Sequence, residues 1–211
     1  MKVIAINGSP RKKGNTSILI QTVFKELISQ GIETEEINVG IKSIHGCVAC
    51  MKCKETLDNK CIIKLDAFNE IFEKMIDADG IILGSPVYCA DLTGQIKVFL
   101  DRATVVSAVN DDIFRHKVGA SVVAVRRAGA LTTFHSLNSF FNIHQMLTVG
   151  STYWNMGFGM EEGEVNQDEE GIQTMRNLGK NMAWLLKSLE FAKDKIPLPD
   201  SHREVHTNFI R

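Results

Sequence analysis

The 211 residues carry 24 Lys and Arg against 25 Asp and Glu, a net charge of −1, with 44% hydrophobic and 23% charged residues. This is ordinary composition for one globular α/β domain, and without a basic excess it excludes a binder built on attraction to phosphate backbones. No apolar run approaches the roughly 18 to 20 residues that span a bilayer, and the apolar start over residues 1–6 is too short for a signal-peptide core; the expectation is a cytoplasmic protein that binds neither membrane nor nucleic acid.

Strand and helix patterns then alternate along the chain. Residues 2–7 hold β-branched Val3, Ile4 and Ile6 in an apolar run, the pattern of a buried parallel strand. A glycine-containing turn leads into a helix over 16–30, with Leu19, Val23, Phe24, Leu27 and Ile28 at helical spacing, Asn15 as N-cap and Gly31 as the stop. Residues 33–39 read as a second strand, 66–78 as a helix with Phe68, Ile71, Phe72, Met75 and Ile76 on one side, and 80–84 as a third strand. Residues 93–106 predict a helix, 118–125 the most β-branched strand, 131–147 a helix, 151–154 a short strand and 171–193 a long helix. Five strands alternating with helices predict a parallel sheet covered on both faces. Two stretches break the alternation. Residues 42–64 hold four of the five cysteines and read as an insertion in a single domain over 1–195. Residues 196–211, with Pro197 and Pro199, read as a C-terminal extension and a candidate arm for assembly.

The turn after the first strand, GSPRKKGNTS over 8–17, opens a helix at a carboxyl edge, where open α/β sheets take their ligands. A helix N-terminus offers unpaired N–H groups and positive partial charge. Ser9, Asn15, Thr16 and Ser17 add donors and Arg11 adds a cation. Five residues separate Gly8 from Gly14 and Asn15 follows, so neither the Walker A spacing nor G-x-G-x-x-G fits. A capped helix with a solvated basic run is the plain alternative.

The third strand ends in GSPVY over 84–88, and GQIKVFLDR follows over 94–102. Together these segments and the 8–17 turn resemble the NADPH-dependent FMN reductase family of flavodoxin-like proteins. The resemblance implies a flavodoxin-like, doubly wound five-stranded parallel sheet of order 2-1-3-4-5 with helices on both faces and FMN at the switch point. It implies that Ser9, Arg11, Asn15, Thr16 and Ser17 hold the FMN phosphate, and that Pro86, Val87 and Tyr88, with Cys89 next, flank the isoalloxazine ring. Taken alone, Cys89 reads more often as a small buried filler than as a reactive group. A third flavin-contacting loop falls at Arg126, Arg127 and Gly129. There an arginine beside the pyrimidine edge would stabilise anionic reduced flavin, and a pair of solvated surface arginines is the alternative. Lys97, Asp101 and Arg102 read as a structural salt-bridge set.

Cys47, Cys50 and Cys53 have C-x2-C-x2-C spacing, and Cys61 follows after seven residues. Tight spacing in a short loop favours iron–sulfur ligation, whereas four-cysteine zinc sites usually come as two separated pairs. Free or redox-active thiols are the other reading. The run resembles the compact cysteine motif of the iron–sulfur flavoproteins, a branch of the same family. That resemblance implies a 4Fe–4S cluster on Cys47, Cys50, Cys53 and Cys61 beside FMN. His45, two residues ahead of Cys47, is a candidate to tune such a centre. His202 and His206 flank Glu204 in neither zincin order and read as surface.

The implied function is an oxidoreductase that passes electrons from NAD(P)H or a ferredoxin-like donor through FMN, and through a cluster where one is bound. The acceptor is a quinone, free flavin or another small molecule. No catalytic side chain is expected, because the flavin carries the chemistry. A non-enzymatic flavin electron carrier and a cysteine-based redox sensor are the alternatives. The family resemblance implies a homodimer or homotetramer.

Overall fold

A computed structural model describes residues 1–202, 204–207 and 209. Its strands β1 (Lys2–Asn7), β2 (Glu33–Asn38), β3 (Gly80–Pro86), β4 (Val118–Val125), β5 (Leu147–Thr148) and β6 (Met156–Phe158) form one sheet. The order is β2-β1-β3-β4-β5, with β6 also on β4, and every pair is parallel. The expected order is therefore present.

Side chains alternate across a strand, and here the alternation feeds two cores. Ile4, Ile6, Ile81 and Leu83 face α3 (Phe68–Asp77), α4 (Gly94–Val109) and α5 (Ala130–Ile143), where rings of Phe68, Phe72, Phe99 and Phe114 stand 5.3–5.4 Å apart in sequence of contact. Val3, Ala5, Ile82 and Val122 face α1 (Asn15–Ser29) and α6 (Glu169–Ala192), through Leu19, Val23, Phe24, Met175, Leu178 and Met182. The remaining helix, α2 (Lys52–Thr56), lies inside the cysteine-rich segment. Gly31 stops α1 as expected, at φ +76°, with its N–H donating to Ile28 O at 2.9 Å.

The fifth strand corrects the sequence reading. Residues 151–154 form no strand. The position is shared by β5 opposite Val118 and Gly119 and by β6 opposite Val123 to Val125. Between them the chain loops away, pinned by buried Asn155, whose carbonyl accepts from Val123 N at 3.0 Å and whose side-chain oxygen accepts from Ser151 Oγ at 2.6 Å. Tyr153 and Trp154 pack edge to face at 4.5 Å on the exposed outside of that excursion. The helix expected to run to 147 ends at Ile143, because Gln145 turns left-handed at φ +53° to start β5.

The C-terminal segment leaves α6 and is held at two points. Arg115 Nη2 donates to Pro199 O and Gln145 Nε2 to Ser201 Oγ, each at 3.2 Å. Val205 and Phe209 are exposed, and Ile210 and Arg211 lie outside the described residues. Among the described residues no helix is long and apolar enough to cross a membrane.

One buried histidine sets an acid limit on this fold. His144 is wholly buried between the Phe114 and Phe140 rings, with Ser107 Oγ at 3.3 Å, Thr104 Oγ1 at 3.4 Å and Asp112 Oδ1 at 3.9 Å. Burial pushes its pKa down from 6.5 to about 4. Below pH 6.5 the unfolded chain takes up a proton that the native histidine refuses until about pH 4. Stability is therefore complete above that window and falls as pH drops through it, by up to about 3 kcal/mol. His144→Leu is expected to flatten the fall of the urea midpoint across the window, and an unchanged slope would assign the acid limit to other groups.

Candidate functional site

The carboxyl ends of β1 and β3 are side by side, with Asn7 opposite Gly84. Gly8 N donates to Gly84 O at 2.8 Å, Thr93 Oγ1 to Gly8 O at 2.9 Å, and Thr93 N to Ser85 Oγ at 3.1 Å. These bonds lock the loop after β1 to the loop after β3. The β2 end seals it from the other side so closely that a Cβ on Gly40 would lie 2.2 Å from the Ser9 carbonyl. Within the loop, Ser9 N donates to Asn7 Oδ1 at 2.8 Å, Arg11 N to Ser9 Oγ at 3.2 Å and Gly14 N to Arg11 O at 3.1 Å.

The chain therefore enters α1 at Gly14, which has no side chain to cap the helix. The expected N-cap, Asn15, is instead the first helical residue. Its amide bridges to the segment after β6, donating to Glu161 O and accepting from Gly163 N, both at 2.9 Å. The first-turn N–H groups of α1 have no partner within the helix, and the buried Thr16 Oγ1 makes no hydrogen bond among the described residues.

Ser9, Arg11, Asn15, Thr16, Pro86, Val87, Tyr88 and Arg126 line one cavity, whose wall holds two arginines and no carboxylate. The other proposed contacts lie off this wall. Ser17 Oγ donates to Glu36 Oε2 at 3.0 Å, in a network that also takes Gln21 Nε2 and Asn7 Nδ2. Cys89 is exposed in a left-handed pair with Ala90, at φ 45° and 62°, closed by two hydrogen bonds between Tyr88 and Asp91. Arg127 is exposed, and Gly129, at φ +88°, starts α5 against Val87 and Ala90.

The sequence reading missed Ala124, Gly159 and Met160, which complete the cavity wall. Arg11 Nη1 donates to Met160 O at 3.3 Å, so the loop after β6 anchors the arginine of the loop after β1. Glu164 holds that loop in turn, its carboxylate accepting from Met160 N at 2.7 Å and Glu161 N at 2.8 Å. These two donors hold its carboxyl below the usual range. The available signal was Gly157, Gly159 and Gly163 in a seven-residue stretch, a spacing that suits close backbone approach.

The four cysteines also converge. Cys47 and Cys50 are exposed, Cys61 is half-buried and Cys53 is buried, and all four line one small cavity with Arg102, Val105 and Val106 of α4. The cavity is about 20 Å³, room for about one water molecule. Among the described residues no three His, Cys, Asp or Glu side chains are arranged to hold a metal ion. Burial pushes the Cys53 thiol up, and nearby Cys61 and Cys50 add to this against N–H donors from its own and the next residue. The His45 ring is exposed, and this residue acts through its backbone.

The expected salt-bridge set on α4 is split. Lys97 and Asp101 pair on the exposed surface. Arg102 turns inward and pairs with Asp66 at 2.5 Å. Burial alone would raise the Asp66 carboxyl, but donors from His45 N, Arg102 and Phe68 N outweigh it and hold it below the usual range.

A parallel sheet in this order, with an uncapped helix start facing an apolar strand end, defines a flavodoxin-like protein. The family model for NADPH-dependent FMN reductases matches residues 1–161. The chain is 40% identical over 197 residues to an iron–sulfur flavoprotein of Methanocaldococcus jannaschii, covering 90% of this chain and 100% of that protein. It is 32% identical over 198 residues to an iron–sulfur flavoprotein of Methanosarcina thermophila, covering 92% and 100%. The solved structure of RosB with bound intermediate 8-demethyl-8-formylriboflavin-5'-phosphate superposes at a TM-score of 0.72 with 18% identity, over 100% of this chain and 94% of that one, a likeness of fold. The chain belongs to the NADPH-dependent FMN reductase family, and the relatives it matches are iron–sulfur flavoproteins.

Proposed function

We propose that this chain is an FMN-dependent oxidoreductase that takes electrons from NAD(P)H or a ferredoxin-like protein and passes them to a quinone, free flavin or other small acceptor. The observation that carries the reading is the buried, unpartnered Thr16 hydroxyl at the uncapped start of α1. A dianionic phosphate accepts from such a hydroxyl and from the first-turn N–H groups, and Arg11 offsets its charge. Ser9 and Asn15 stand on the same wall, and Ser17 adds its backbone N–H. Pro86, Val87 and Tyr88 supply the apolar side for the ring, with Cys89, Arg126, Arg127 and Gly129 at its margin. When bound, the flavin supplies hydride and single-electron transfer chemistry; the chain binds, orients and sets charge.

Cys47, Cys50, Cys53 and Cys61 are the proposed ligands of a 4Fe–4S cluster. Four soft thiols on one cavity are a suitable donor set. Loading requires the exposed 47–51 segment to move outward. The two cavities share no residue, and Arg102 lies nine residues into α4 from Thr93, roughly 13 Å along the helix. The proposed assembly is a homodimer or homotetramer.

The test is protein purified without air, assayed for FMN, iron and acid-labile sulfide, then for NADH and NADPH oxidation with quinone or free flavin as acceptor. Absence of FMN after reconstitution overturns the reading. For assembly in the cytoplasm, deletion of residues 205–211 is expected to lower the mass seen by light scattering, and an unchanged mass at low micromolar concentration rejects the arm.

A further inference from the structure

Arg102 is the largest fully buried side chain, 1% exposed on α4. Its Nη1 donates to Asp66 Oδ2 at 2.5 Å and to His45 O at 3.1 Å, its Nη2 to Ile63 O at 3.2 Å, and its guanidinium lies 4.1 Å over the Phe68 ring. His45 stands two residues before Cys47, and Ile63 stands two residues after Cys61. One guanidinium thus fastens both ends of the loop that carries the four thiols.

Asp66 balances the charge, and the carbonyls take two more donors. The Nε–H is left over, buried and without an acceptor among the described residues. A buried donor left unmade is a cost that the fold carries for a reason or that a ligand relieves. Arg102 also lines the cavity of Cys47, Cys50, Cys53 and Cys61, whose thiolates would be acceptors. Cys47 Sγ already accepts from Ala49 N at 3.4 Å. This is how hydrogen bonds are directed at metal-bound sulfur.

We infer that Arg102 is a positioning residue for the four-thiol centre: it fixes the spacing of the loop ends and turns a cationic N–H donor toward the anionic metal-bound sulfurs. The inference rests on the reading of these cysteines as cluster ligands. A donor and a positive charge beside the centre favour its more negative, reduced state and so raise its reduction potential. Asp66 opposes this from behind the guanidinium. The two residues therefore act with opposite sign, which a purely structural staple does not require.

The experiment compares wild type, Arg102→Lys and Asp66→Asn as FMN-loaded, anaerobically reconstituted full-length chains. Iron per chain, the rate of iron release to a chelator and the midpoint potential of the one-electron couple are measured, with FMN content and circular dichroism as controls of folding. Arg102→Lys keeps a positive charge and loses the fork and the Nε–H. It is expected to release iron severalfold faster and to lower the potential by the equivalent of a threefold to tenfold change in the redox equilibrium, tenfold being about 59 mV. Asp66→Asn leaves the guanidinium without its counter-charge and is expected to raise the potential. If Arg102→Lys fails to fold, Asp66→Asn alone decides, and no upward shift overturns the inference. A wild type free of iron and sulfide sinks the cluster reading and the inference together. A wild type with a cluster, and variants with its potential and release rate, sink the inference alone.

Discussion

Replacing Thr16 by Val is expected to weaken FMN binding at least tenfold while raising the thermal midpoint of the FMN-free protein. The two effects have one cause. Thr16 is 1% exposed, and its hydroxyl makes no hydrogen bond among the described residues. A buried hydroxyl without a partner costs roughly 1–3 kcal/mol, and valine removes it while keeping the branched shape that packs toward Gly84. With phosphate bound, the same hydroxyl donates a charge-assisted bond worth about 1.5–3 kcal/mol, roughly a tenfold to hundredfold change in affinity. Ser17→Ala is expected to do much less to affinity, because Ser17 Oγ is engaged with Glu36. Calorimetric titration of both apo variants with FMN, beside their melting curves, checks the pair of signs. Wild-type affinity in Thr16→Val removes the phosphate assignment, and a lowered apo midpoint removes the argument from the orphaned hydroxyl.

The parts of this molecule that were legible in the sequence are those where one physical pattern dominates. The strands β1, β3 and β4 are buried on both faces, so their β-branched apolar runs stand out. The turn between β1 and α1 was legible because a glycine-bounded stretch with hydroxyls and a cation follows directly on a strand. The fifth strand was not, since two- and three-residue pieces carry no period and the buried Asn155 that separates them looks like a loop residue. The β6 side of the cavity was hidden for a related reason: it contributes the carbonyls of Met160 and Glu161, and a carbonyl has no signature beyond the glycines around it. Asn15 has the chemistry of an N-cap and spends it on a contact 148 residues away. Arg102 was grouped with Lys97 and Asp101 by proximity in sequence. About 100° per residue separates neighbours on a helix, so the pair four apart faces solvent while Arg102 faces inward, to an Asp66 that sequence spacing could not supply.

The cysteine segment yields the second large effect, and the structure selects which thiol to change. Cys53 is buried against Val105 and Val106, so serine there places a hydroxyl in an apolar cavity and costs stability on its own account. Cys50 is exposed. Cys50→Ser is expected to leave folding stability within about 0.5 kcal/mol of wild type. Its oxygen is a hard donor in place of a soft one, poorly matched to iron–sulfur ligation. Most of the iron and acid-labile sulfide should therefore be lost in anaerobically prepared or reconstituted protein. FMN should be retained at wild-type affinity, because the cysteine cavity and the cavity beside α1 have no residue in common. The division of labour follows from the chemistry: a nicotinamide delivers two electrons as hydride, which a flavin accepts, and a 4Fe–4S centre exchanges one at a time. Cys50→Ser is accordingly expected to keep two-electron reduction of its flavin by NAD(P)H and to lose exchange with a one-electron partner such as ferredoxin. Persistence of that exchange in the variant shows that the flavin serves both couples. Wild-type protein with FMN but neither iron nor sulfide shows that the four cysteines are thiols beside a plain flavin reductase.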